Sequence, residues 1–189
     1  MIQGQHNQMV QITFEKTPNP ATIKFIASQK LTDKQIEATD ASSAQSSPLA
    51  LKIFGFPWTS SVFIADNFIT VTKQDWVEWD FLAQPLAQLI ANHINAGEPI
   101  IIDFITTNSE NANDSEIVQQ IKAALDRDIR PVVAMDGGDI VFNKFENQIL
   151  WIHMRGACSG CPSSTATLKQ GIEVRMKELF PEINEVRAI

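Results

Sequence analysis

Cys158-Ser159-Gly160-Cys161 holds the only two cysteines of a 189-residue chain. Two thiols three positions apart can chelate one metal or close one disulfide. They cannot fill a four-thiolate site, so the remaining ligands of such a site come from elsewhere in the chain, from a small molecule, or from a second copy. Three chemistries fit the spacing: an iron–sulfur cluster, zinc, and thiol–disulfide exchange. Zinc needs more ligands, and His6, His93 and His153, the only histidines, are not spaced with the pair as a zinc motif. Exchange chemistry expects a thioredoxin-like βαβ setting, whereas a β-hairpin pattern precedes this motif. A cluster bridged by Cys158 and Cys161 of two chains is the economical solution to the ligand count.

The surroundings of the pair sharpen this reading. Gly156, Ala157 and Gly160 are small and let backbone amides, or a partner surface, come close. Pro162, followed by Ser163, Ser164 and Thr165, reads as the first turn of a helix. Both sulfurs are therefore expected near a helix N-terminus, where unpaired N–H groups and the dipole favour thiolate, in an exposed loop.

The elements that must position the loop are legible from periodicity. Upstream, Ile140 to Phe145 and Ile149 to Met154 read as two strands joined through Glu146-Asn147, with Leu150, Ile152 and Met154 facing one way and Trp151, His153 and Arg155 the other. Downstream, Leu168, Ile172, Met176 and Leu179 lie on one helical face, and Val186 to Ile189 has the character of a last short strand. A helix from Ser115, with Ile117, Ile121, Ala124 and Leu125 inward, is expected to stop near Arg130, before Pro131. Asp136 and Asp139 flank Gly137-Gly138, which reads as a turn on positive-φ glycines rather than as a metal site.

The polar run Thr106 to Asp114 divides the chain. The expectation is an α/β (α+β) protein of two small domains, residues 1–105 and 115–189, with a linker at 106–114. In the first, strands at Val10 to Phe14 and Thr22 to Ile26 flank a turn forced by Thr17-Pro18-Asn19-Pro20. A short helix over Pro48 to Phe54 follows the cap Ser47, a hairpin joins Val62 to Ile64 with Phe68 to Thr72, and a long helix occupies Asp75 to Asn95. Trp58, Trp76, Trp79 and Trp151 are candidate core residues, and Phe54, Phe56 and Trp58 are a candidate exposed patch for recognising other proteins.

Composition narrows the function classes. Net charge is −7, and the first 113 residues contain no arginine. Such a surface suits neither phosphate backbones nor anionic membranes, so no nucleic-acid or membrane partner is expected. No apolar run approaches the roughly 18–20 residues of a membrane span. Met1 to Gln8 is polar, without a signal-type apolar run or an Arg-rich presequence, which fits a bacterial cytoplasmic protein or a trimmed mitochondrial matrix form.

Two stretches carry a family resemblance. Arg130-Pro131, Asp136-Gly137-Gly138-Asp139-Ile140, and Gly156 through Ser164 with Thr167-Leu168-Lys169 and Gly171-Ile172-Glu173 resemble the NifU-like C-terminal domain. Thr17-Pro18-Asn19-Pro20 and Phe68 to Lys73, with Trp76 soon after, resemble the Nfu N-terminal domain. The resemblance implies an iron–sulfur cluster scaffold or carrier, not an enzyme, with a labile [4Fe-4S] cluster ligated by Cys158 and Cys161 and shared between two subunits. It implies a homodimer when cluster-bound, an upstream cluster scaffold and apo iron–sulfur client proteins as partners, and client recognition by the N-terminal domain. The first half lacks the cysteine-bearing assembly domain of some relatives, which favours carriage and delivery over assembly. The rival readings are a dithiol–disulfide oxidoreductase and a zinc-stabilised adaptor.

Overall fold

The computed structural model describes residues 9–102, 114–160 and 162–189. Cys161, positions 103–105 of the expected first domain and positions 106–113 of the expected 106–114 linker thus lie outside the described residues.

The first half is built on β1 (Ile12–Lys16), β2 (Thr22–Ala27), β3 (Ile36–Ala38), α1 (Pro48–Phe54), β4 (Thr59–Ile64), β5 (Phe68–Lys73) and α2 (Trp79–Asn95). The strands form one antiparallel sheet in the order β1-β2-β5-β4-β3. The turn between β1 and β2 is set by the prolines and locked by side chains. Asn19 Oδ1 accepts from the Ala21 N–H at 3.0 Å, and Thr17 Oγ1 donates to the Asn19 carbonyl at 2.9 Å. Ser47 caps α1 by accepting from the Ala50 N–H, with Pro48 in the first turn.

Both helices cover one face of this sheet. Ile23, Phe25, Val62, Ile64, Ile69 and Val71 point into that layer with Leu49, Ile53, Leu86 and Ile90. Trp58 and Trp79 belong to the same core, edge to face at 5.9 Å. The expected recognition patch is mostly consumed by packing: Trp58 is buried, Phe54 packs on the core, and Phe56 stacks on Trp58 at its rim. Trp76 instead is two-thirds exposed.

The second half comprises α3 (Glu116–Ala124), α4 (Arg130–Met135), β6 (Gly138–Glu146), β7 (Ile149–Gly156), α5 (Pro162–Leu179) and β8 (Glu185–Ala188). The helical path does not stop before Pro131. A wider π-type turn over Leu125–Ile129, in which Arg130 N–H reaches back to Leu125, lets the chain pass the proline and continue as α4. The β6–β7 hairpin turns on Asn147 and Gln148, both at positive φ, one residue later than the sequence suggests. Strand β8 pairs parallel with β7, giving the sheet order β6-β7-β8. The cysteine loop therefore does sit in a β–α–β unit, as well as after a hairpin. Leu150, Ile152 and Met154 face a core closed by Ile121, Leu125, Ile172 and Met176. Among the described residues no helix is long and apolar enough to cross a membrane.

The two halves are docked. The second face of the N-terminal sheet, carrying Lys24, Ile26, Phe63, Phe68 and Thr70, meets the start of β6, the end of β7 and the end of α4. An antiparallel sheet commonly leaves one face to water. Here both are covered, which is why β2 is buried at nearly every position.

Candidate functional site

The loop after β7 is pinned from within its own half. Gly156 ends the strand at φ +64, a conformation that favours glycine. The Ala157 N–H donates to the Gly137 carbonyl at 3.1 Å, and the Ser159 N–H and hydroxyl both donate to the Gly156 carbonyl. Thr165, in the first turn of α5, donates through Oγ1 to the Cys158 carbonyl at 3.0 Å.

Cys158 is buried, 4% exposed, which corrects the expectation of an exposed thiolate loop. Its sulfur occupies the space that a side chain at position 138 would need: a Cβ added to Gly138 would stand 2.2 Å from Sγ. Of the two glycines expected in the turn only Gly137 has positive φ; Gly138 is the first residue of β6 and the floor of the cysteine pocket. A cavity of about 30 Å³ remains beside the sulfur, walled by Pro18, Asp136, Ala157 and Leu168.

This environment reverses the expected electrostatics. Burial, and then the carboxylates of Asp136, Asp139 and Glu37, push the Cys158 thiol up to about 12. Desolvation outweighs whatever the nearby helix start supplies, because the charged form loses water and meets negative neighbours. Asp139 is tied to Arg130, with Nε–Oδ1 at 2.7 Å and Nη2–Oδ2 at 3.0 Å, so its role is structural. Asp136 instead lines the cavity. Among the described residues no three His, Cys, Asp or Glu side chains converge where a metal ion would sit. His153 stands on the outward face of β7, as expected, facing Glu37.

The comparisons with known proteins follow this division of the chain. Residues 121–187 match the NifU-like domain, and residues 12–97 match the N-terminal domain of the scaffold protein Nfu/NifU. A Drosophila ananassae protein named NFU1 iron-sulfur cluster scaffold homolog, mitochondrial, is 34% identical over 193 residues, covering 100% of this chain and 66% of its own length. An Arabidopsis thaliana protein named NifU-like protein 4, mitochondrial, is 36% identical over 190 residues, covering 97% of this chain and 67% of its own. This chain belongs to the Nfu/NifU iron–sulfur scaffold family. It spans about two thirds of the length of these relatives. The solution structure of a NifU-like protein from Saccharomyces cerevisiae aligns with a TM-score of 0.44 at 26% identity, over 53% of this chain and 92% of that one.

In this Nfu/NifU chain the residues that reasoning from sequence missed come from the other half. Asn19 Nδ2 donates to the Ser159 carbonyl at 3.2 Å, 140 positions away. Glu37 accepts from the Gly156 N–H at 3.0 Å and faces His153 and Arg155. Lys24 donates to the Met135 carbonyl at 3.0 Å. One signal was present: Lys24 is a lone charge inside the apolar strand Thr-Ile-Lys-Phe-Ile-Ala, so it needs a partner if that strand is buried on both faces.

Proposed function

We propose that this chain carries a labile [4Fe-4S] cluster between two copies and delivers it to apo iron–sulfur client proteins, acting as a carrier and not an enzyme. The observation that carries this reading is the ligand count. The NifU-like half holds a single Cys158-x-x-Cys161 pair and the rest of the chain holds no cysteine, so a cluster taking four thiolates requires the pair from each of two chains. A site completed by two chains opens when they part, which gives the lability that a donor needs. The N-terminal half, with Trp76 exposed, serves as the client-recognition module. The chain receives its cluster from an upstream scaffold, in a reducing compartment such as the bacterial cytoplasm or the mitochondrial matrix.

Thiol–disulfide exchange gains nothing from Cys158 in this arrangement, because burial disfavours the thiolate that exchange and metal ligation both need. The test of the proposal is substitution of each cysteine. Cys158→Ser and Cys161→Ser each remove two of the four thiolates of a bridged cluster, and each is expected to abolish cluster binding after anaerobic reconstitution with iron and sulfide. Full occupancy in either variant contradicts the bridged site.

A further inference from the structure

Four contacts made by the N-terminal half converge on the cysteine loop and its flanks. Pro18 walls the cavity at Cys158. Asn19, itself 3% exposed, holds the Ser159 carbonyl, next in sequence to the cysteine. Glu37 holds the Gly156 N–H and Lys24 the Met135 carbonyl. The backbone of the C-terminal half is glycine where it touches the sheet. A Cβ at Gly156 would stand 2.8 Å from Phe63 Cδ1 and 3.0 Å from Thr70 Oγ1, and one at Gly137 would stand 2.9 Å from Thr70 Cγ2. The covering is therefore close, and it is aimed at the loop.

The same interface is built to release. Among the described residues its apolar cluster is small, Phe63, Ala65 and Phe68 with Ile26 and Ala134 at the edge, beside the cavity wall shared by Pro18, Ala157 and Leu168. Thr70 Oγ1 is buried in it with no hydrogen-bond partner and regains water when the halves part, and Arg155 Nε meets the Glu37 carboxylate only at 3.8 Å, beyond hydrogen-bond reach. A contact of this kind resembles a transient interface more than a domain core.

We propose that the docked arrangement is a closed state, in which the Thr17–Pro20 turn, held in place by the contacts of the second sheet face with Gly137 and Gly156, covers Cys158, and that cluster loading requires the halves to separate. A bridged cluster needs Cys158 open to a second copy of this chain, yet the side chain sits in the core of its own half, against Gly138 and Leu168, and Pro18 of the N-terminal half walls the cavity beside it. The residues of the gate are Pro18, Asn19, Lys24 and Glu37. Its relevance to loading rests on the proposed ligand role of Cys158. The closed state itself is tested without iron, so the two readings fail separately.

The experiment is alkylation of the apo full-length chain by iodoacetamide, followed at Cys158 by tandem mass spectrometry. Glu37→Arg sets a positive charge against His153 and Arg155. Like charges juxtaposed at an interface are strongly disfavoured, so labelling is expected to rise at least about tenfold. The charge swap Glu37→Arg with Arg155→Glu is expected to return labelling towards the wild-type rate, which general unfolding would not allow. Labelling as fast in the wild type as in Glu37→Arg overturns the closed state, and so does an acceleration that the swap leaves unchanged. Small-angle scattering of the wild type supplies a readout independent of any variant. The radius of gyration of the apo chain is expected to match the docked arrangement, and anaerobic loading with iron and sulfide is expected to be faster in Glu37→Arg than in the wild type; an apo value for separated halves overturns the closed state, and equal loading rates overturn the requirement for separation.

Discussion

The two faces of the N-terminal sheet are made from alternate residues of the same strands, yet they hold by different means. On the helix side, Ile23, Phe25, Val62, Ile64, Ile69 and Val71 interlock with α1 and α2 in a continuous aliphatic and aromatic layer. On the other side, Lys24, Thr70, Phe63 and Glu37 meet the C-terminal half through a few hydrogen bonds, the long ion pairs of Glu37 with His153 and Arg155, a small apolar cluster and a buried Thr70 hydroxyl with no hydrogen-bond partner. The first face is what makes this half fold, because its stabilisation scales with apolar area removed from water. The second is what a surface looks like when it must close over a reactive loop and let go again. One sheet thus serves as core and as cover.

The largest difference is expected from truncating one buried side chain on each face to alanine. Ile64→Ala on the helix face leaves a cavity in a closed layer and is expected to cost about 3 kcal/mol in urea denaturation of the N-terminal half. Phe63→Ala, one position earlier and facing the other way, removes a larger side chain. Its cost to that same transition is expected to be no more than about 1 kcal/mol, because the halves separate before the N-terminal half unfolds and Phe63 is then already in water. Equal costs at the two positions would show that both faces are core. Thr70→Val sharpens the comparison in the opposite direction. Replacing a buried hydroxyl that has no partner with a methyl of similar shape should tighten docking by about 1 kcal/mol and slow Cys158 alkylation about fivefold.

A smaller effect is expected at the β8 anchor, away from both faces. The Lys177 ammonium and then the Val186 N–H hold the Glu173 carboxyl below the usual carboxylate range. The stabilisation is present in full above the ordinary carboxylate pKa and is lost as pH falls through the lowered one. Glu173→Gln should therefore remove about 1 kcal/mol at neutral pH and little in strong acid, read as the pH dependence of the urea midpoint for the C-terminal half.

Periodicity revealed the elements well, because each half buries one helix-facing or sheet-facing stripe of its own. The alternation at Leu150, Ile152 and Met154, the stripe through Ile172 and Met176, and the Ser47-Pro48 helix start all reappear with the expected neighbours. What periodicity cannot show is a face covered by a distant part of the chain. Lys24, Glu37 and Asn19 become part of the cysteine site only after folding brings together segments more than 100 positions apart. The character of Cys158 was missed for the same reason. A helix start is a local feature of the sequence, whereas burial against Gly138 and Pro18, with Asp136, Asp139 and Glu37 nearby, is a product of the tertiary arrangement. Pro131 misled in a different way, since a single wide turn absorbed a residue that ordinarily ends a helix.

Whether one Cys-x-x-Cys pair from each of two chains holds the cluster is decided by reconstitution. Apo-protein is reconstituted anaerobically with iron and sulfide, and mass by light scattering and the iron-to-protein ratio are determined on the same chromatographic peak. A brown peak of two chains carrying about four irons is the expected result, as the four-thiolate count requires. A cluster held by a single chain, or a colourless monomer with or without zinc, would contradict it.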